Sequence, residues 1–137
     1  MKKTAKIISA LLVLVMMLAQ VVCVSAVTYP KVSISSTQTD HFERTVSISM
    51  RDSEDATYGD ITYFDNKGKQ VGAKETVSFS GSDNYTVTVK VRPNDVAKIV
   101  FESYAGSTKL NYETYTVPAN GYYNPNSSGS TTSSNGT

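Results

Sequence analysis

Few residues in this sequence have types and spacing that could do chemistry: one histidine, an acidic run and a set of tyrosines. His41 is the only imidazole and sits between Asp40 and Phe42. A Ser–His–Asp arrangement needs a base within reach of an activated serine, and the chain has no nucleophile-elbow pattern. His41 therefore reads as a surface side chain in a loop. Asp52, Glu54, Asp55 and Asp60 are close in sequence, and carboxylate oxygens so grouped could surround Ca²⁺. Their spacing is not that of the helix–loop–helix calcium motif, so a solvated acidic loop is the competing reading. Glycoside hydrolysis would need two carboxylates about 5–10 Å apart in a cleft. A domain of this size, about ninety residues from Tyr29 to Pro118, seldom offers one. The expectation is a protein without catalytic residues and without a cofactor, Ca²⁺ being the one candidate ion.

The aromatic residues say more. There are nine tyrosines and no tryptophan. Tyr58, Tyr63, Tyr104 and Tyr115 are candidates for an outer sheet face. Tyr104 and Tyr115 fall out of phase with Phe101 and Leu110, which point inward. Rigid amphipathic rings are good contact groups for sugar rings or protein partners. The competing reading is that tyrosine simply suits half-buried strands and covers their edges. Tyr122 and Tyr123 either pack back on the domain or form a docking segment. Asn84-Tyr85-Thr86 matches the N-glycosylation pattern at the start of a strand.

Strands must position these residues. Tyr85, Val87, Val89 and Val91 alternate with Thr86, Thr88, Lys90 and Arg92. A period of two puts the apolar set on one face and the polar set on the other. Val32 to Ser35 and Thr45 to Met50 alternate in the same way. Ile61 to Phe64 is a further run and ends in Asp65-Asn66-Lys67-Gly68. That is a hairpin signal, with Gly68 free to adopt positive φ. Lys69 to Gly72 is the expected return strand, and Thr76 to Ser80 another strand. Asn84 to Val117 reads as a three-strand meander with turns at Pro93–Asp95 and Gly106-Ser107. Its last strand changes phase: Leu110 and Tyr112 point one way, Tyr115 and Val117 the other. A bulge near Glu113-Thr114 would reconcile them and turn Tyr115 inward. No stretch after residue 26 has a convincing helical period. The expected fold is all-β, an antiparallel sandwich of seven to eight short strands, with a small barrel as competitor.

The ends of the chain set its compartment. Lys2, Lys3 and Lys6 precede an apolar run from Ile7 to Val22, and Val24-Ser25-Ala26 suits a signal peptidase. Residues 1–26 thus read as a cleaved signal peptide. The run of 16 residues is short for a membrane span of about 20. Val22 and Gln20 before Cys23 do not fit lipid attachment. Cleavage leaves 111 residues, ten basic and twelve acidic, for a net charge of −2 with His41 neutral. It also removes the only cysteine, and with it any disulfide or thiolate ligand. A near-neutral surface with scattered Lys and Arg argues against nucleic acid as a partner. Residues 27–119 form the expected domain. Residues 120–137 form the expected tail, and Ser127 to Thr137 contains only Ser, Thr, Asn and Gly. Such a composition cannot bury enough area to offset the entropy of ordering.

Val32-Ser33-Ile34, Val46-Ser47-Ile48, the Asp65–Gly68 turn and Tyr85-Thr86-Val87-Thr88-Val89 share their spacing with known modules. Over roughly 30–117 the chain resembles the immunoglobulin-like or fibronectin-III-like modules of secreted and surface proteins from Gram-positive bacteria. It lacks the paired Cys and the Trp of antibody-type domains. Such modules serve as spacers, adhesins or glycan-binding units. The resemblance implies a non-enzymatic secreted or cell-surface module for binding, adhesion or spacing. Its partner would be an extracellular protein or glycan, with no membrane span after signal cleavage. A carbohydrate-binding module using surface tyrosines is a second expectation, and a small secreted enzyme or inhibitor a third.

Overall fold

The computed structural model describes residues 25–126. The expected signal segment up to residue 24 and the tail from residue 127 lie outside the described residues. Seven strands form: β1 Lys31–Gln38, β2 Arg44–Arg51, β3 Tyr58–Phe64, β4 Glu75–Ser78, β5 Asn84–Val91, β6 Lys98–Ala105 and β7 Thr108–Thr116. All pairings are antiparallel, and the strands divide into two sheets, β1-β2-β5 and β4-β3-β6-β7. The fold is therefore an all-β antiparallel sandwich. No helix among the described residues is long and apolar enough to cross a membrane.

Alternation along the strands builds the core. Val46, Ile48 and Met50 of β2 face Ile61 and Tyr63 of β3 and Ile99 and Phe101 of β6 across the sandwich. Val32, Ile34, Val87, Val89 and Tyr85 flank this cluster. Each fully buried aliphatic or Phe side chain contributes about 1.5–3 kcal/mol. Gly59 lies where β3 passes beneath two rings. A Cβ there would meet Phe101 and Phe79 ring atoms at 2.8 Å, so the missing side chain makes room for them.

Three sequence expectations change. Asn84 to Val117 is not one meander: β5 pairs with β2, whereas β6 and β7 belong to the other sheet. A tight turn at Arg92, whose carbonyl accepts from Asp95 N and Val96 N at 2.9 Å, carries the chain across. The Asp65–Gly68 turn forms as expected, with Gly68 at φ 80° and Asp65 Oδ1 accepting from Lys67 N and Lys69 N. Lys69 to Gly72, however, is no strand. Only a bridge between Phe64 and Gln70 and a bond from Val71 N to Tyr63 O hold it. Gly72 then turns the chain at φ 69°, and β4 pairs with β3 instead. The irregularity in the last strand is real but lies earlier than Glu113-Thr114. Ser103 faces Asn111 and Tyr104 faces Lys109, which leaves Leu110 as the extra residue. Leu110 is buried there.

Candidate functional site

The outer faces of the two sheets differ in chemistry. On the three-stranded sheet, alternation turns Ser33, Ser35, Thr45, Ser47, Ser49, Thr86 and Thr88 outward, a field of hydroxyls with Lys31, Arg51 and Lys90 at its margins. On the four-stranded sheet the same alternation sets out aromatic and charged groups. Register places Tyr58 opposite Tyr104, Asp60 opposite Glu102, and Glu102 opposite Tyr112. These residues form one connected patch across β4, β3, β6 and β7.

At its centre the Tyr58 and Tyr104 rings stack, centroids 4.8 Å apart and planes within 9°. The Tyr104 hydroxyl donates to Glu102 Oε2. That acceptor raises the phenol to about 12 from its ordinary 10.0, because ionising it would put a second negative charge beside the carboxylate. Lys109 Nζ lies 3.3 Å from Glu102 Oε1 and hangs 5.9 Å above the Tyr104 ring and 5.4 Å above that of Tyr112. One strand over, the buried Asp60 carboxylate accepts from Thr76 Oγ1 at 2.6 Å and pairs with Lys74 Nζ at 3.0 Å. Burial pushes the Asp60 carboxyl up, but the Thr76 hydroxyl and the Lys74 ammonium outweigh it and hold the group below its ordinary value. Lys74 is raised in turn by its bond to Asp60. Two carboxylates, Asp60 and Glu102, lie side by side between two ammonium groups, Lys74 and Lys109.

Two of the four candidate tyrosines therefore meet, and two do not. Tyr63 points into the core, and its hydroxyl is pushed well above the ordinary range, first by burial and then by Glu75. Tyr115 also points inward and donates to Ser36 Oγ at 2.8 Å, since the extra residue at Leu110 resets the phase of β7. Tyr112 takes an outer position instead and is 57 % exposed. The four acidic residues are dispersed. Asp52, at φ 54°, pairs with Lys31 at 3.2 Å. Asp55 accepts from Thr28 N at 2.7 Å, Glu54 is exposed, and Asp60 belongs to the outer patch. Among the described residues no three His, Cys, Asp or Glu side chains gather where they could hold a metal ion. Lys74, Thr76, Glu102 and Lys109 were not singled out by the sequence. The Glu102–Tyr104 spacing of two, followed by a Gly106 turn, is the one local signal, and it reaches Glu102 alone.

The opposite end of the β1–β2 hairpin holds a second cluster. Asp40 Oδ1 caps the turn by accepting from Phe42 N and Glu43 N at 2.7 Å, and these bonds lower its carboxyl. His41 touches the Phe42, Tyr122 and Tyr123 rings edge-on, with centroids 5.9 to 6.4 Å away. Tyr123 thus packs partly back on the domain, whereas Tyr122 stays 91 % exposed. Gln38 and Gly121 exchange two hydrogen bonds, 2.8 and 3.0 Å long. Arg44 is fully buried and donates to Ser36 Oγ at 3.1 Å and Asn120 Oδ1 at 3.3 Å. The contacts of the domain accordingly continue past residue 119.

No protein-family model matches the chain, and no curated protein matches it.

Proposed function

We propose that the chain is a secreted, non-enzymatic binding module of the immunoglobulin-like or fibronectin-III-like kind, and that the outer face of its four-stranded sheet is the contact surface. The observation that carries this reading is the Tyr58–Tyr104 stack set among Lys74, Asp60, Glu102 and Lys109. Rigid rings beside fixed charges of both signs supply contact area at low entropy cost together with directional recognition. The hydroxyl field of the other sheet offers neither. The signal-like N-terminus supports an extracellular setting.

A protein partner fits this face better than a sugar. A sugar platform needs an open ring face. Here each tyrosine gives one face to the other, and Lys109 covers the second face of Tyr104. Of the two stacked rings, only Tyr58 retains a face for a pyranose ring. The test is adhesion of beads carrying the processed chain to extracellular proteins and to a glycan array. Tyr58→Ala combined with Lys109→Ala should lower adhesion at least tenfold, while Ser47→Ala on the other sheet leaves it unchanged. Adhesion that ignores both faces equally would sink the proposal. Glycan binding lost with Tyr58 alone would favour the carbohydrate reading.

A further inference from the structure

The two lateral sides of the sandwich are closed differently. On one side β1 and β7 lie next to each other, tied by Tyr115 Oη to Ser36 Oγ at 2.8 Å and by Asn111 Nδ2 to Pro30 O at 2.9 Å. On the other, β5 ends the three-stranded sheet and pairs only with β2. A cleft of about 400 Å³ opens there, with Val89 and Val91 of β5 on one wall and Tyr63, Val71 and Glu75 on the other. Tyr85, Val87 and Val89 point toward the core but stay half-exposed.

A free strand edge displays unpaired N–H and C=O groups that template pairing with another strand. Three of the four sheet edges are protected. β4 has four residues, preceded by Lys74. β7 is interrupted at Leu110, and β1 is flanked by β7. β5 runs eight residues in unbroken register, with no Pro, no Gly and a single charge, Lys90.

We propose that the free edge of β5 pairs antiparallel with β5 of a second copy about a twofold axis at Thr88, joining two three-stranded sheets into one of six. The strand is self-complementary in this register. Thr88 faces Thr88, Lys90 faces Thr86, Val87 faces Val89 and Tyr85 faces Val91. Arg92 falls opposite Asn84. No like charges are opposed, and Thr–Thr, Val–Val and Tyr–Val are pairs that antiparallel strands favour. Pairing also withdraws the half-exposed Val87, Val89 and Tyr85 from water. One strand against one strand buries less than the about 1,600 Å² of a standard interface, so the dimer is a weak one that forms reversibly with concentration.

Sedimentation of the processed chain from micromolar to millimolar concentration tests this. The expected result is a weight-average mass that rises from monomer to dimer. Thr88→Lys and Thr88→Glu each place like charges across the axis and should move the midpoint severalfold higher. An equal mixture of the two variants should restore pairing. Thr88 is exposed, so an unchanged melting temperature confirms that both variants fold. A monomer at every concentration, a dimer indifferent to charge at position 88, or a mixture no better than its parts overturns the proposal. So does a monomer that instead takes up extended peptides along β5.

Discussion

β5 and β6 follow each other in the chain and are each eight residues long. β5 ends its sheet, whereas β6 runs between β3 and β7. Their valines show what that position does. Val100 points to the outer face of β6 and is only 5 % exposed. Val89 points to the inner face of β5 and is half-exposed. An outward valine in mid-sheet is thus drier than an inward valine at the edge. Neighbouring strands remove as much water here as the opposing sheet does. The packing energy should concentrate along β3 and β6, and β5 should be the softer strand.

Substitutions can break this contrast or sharpen it. Phe101→Ala in β6 removes a ring with no exposed surface and should cost about 3–5 kcal/mol, read from the denaturant midpoint. Gly59→Ala presses a methyl into the Phe101 and Phe79 rings and should cost about 1–3 kcal/mol, read by thermal melting. Val89→Ala in β5 should cost only about 1 kcal/mol, because part of its surface is already wet. Equal losses for Phe101→Ala and Val89→Ala would refute the idea that β5 is softer.

Smaller effects test the outer face of the four-stranded sheet. The Asp60 carboxyl is depressed below its ordinary 3.8 in the folded state. Such a group stabilises the fold above its unfolded value, and that stability is lost as pH falls through the folded value. Asp60→Asn should therefore flatten the acid limb of the stability profile below about pH 4. The Tyr104 phenol is shifted the other way. Its contribution is complete below pH 10.0 and disappears as pH rises through about 12. One phenolate absorbance step near that pH is expected, and Glu102→Gln should bring it back toward 10.0. A step that stays put would mean that Glu102 is not the cause.

The same contrast explains what could be read in advance. β5 and β2 alternate visibly because each has one wet face, and that signal marks both as strands. In β6, Ile99-Val100-Phe101 is a continuous apolar run, since neighbours cover both faces and the alternation is hidden. Which sheet a strand joins is a long-range choice, and nothing local in β5 says that it returns to β2. The extra residue at Leu110 shows in the sequence as a phase conflict, but Tyr fits either face, so the pattern points three residues too late. Tyr63 followed the inward phase of Ile61, and only the pull of a tyrosine platform set it outside. Lys74 and Lys109 acquire partners through cross-strand register, which spacing along the chain does not encode. Nothing local marks Arg44 as buried, yet Ser36 and Asn120, far apart in sequence, meet around it.

The ends of the described chain lie at opposite poles. Thr28 is held near the β2–β3 loop through Asp55, and Gly121 near the β1–β2 hairpin through Gln38. β1 and β7 lead from one pole to the other in the same direction, as the pairs Pro30–Asn111 and Ser36–Tyr115 show. Tension applied through the two ends therefore runs lengthwise along β1 and β7. It loads the β1–β2 and β6–β7 ladders in shear, so their hydrogen bonds share the force instead of peeling apart one by one. Stretched between two anchors, this sandwich would carry load along its long axis, and the Gln38–Gly121 clasp would be the first to slip.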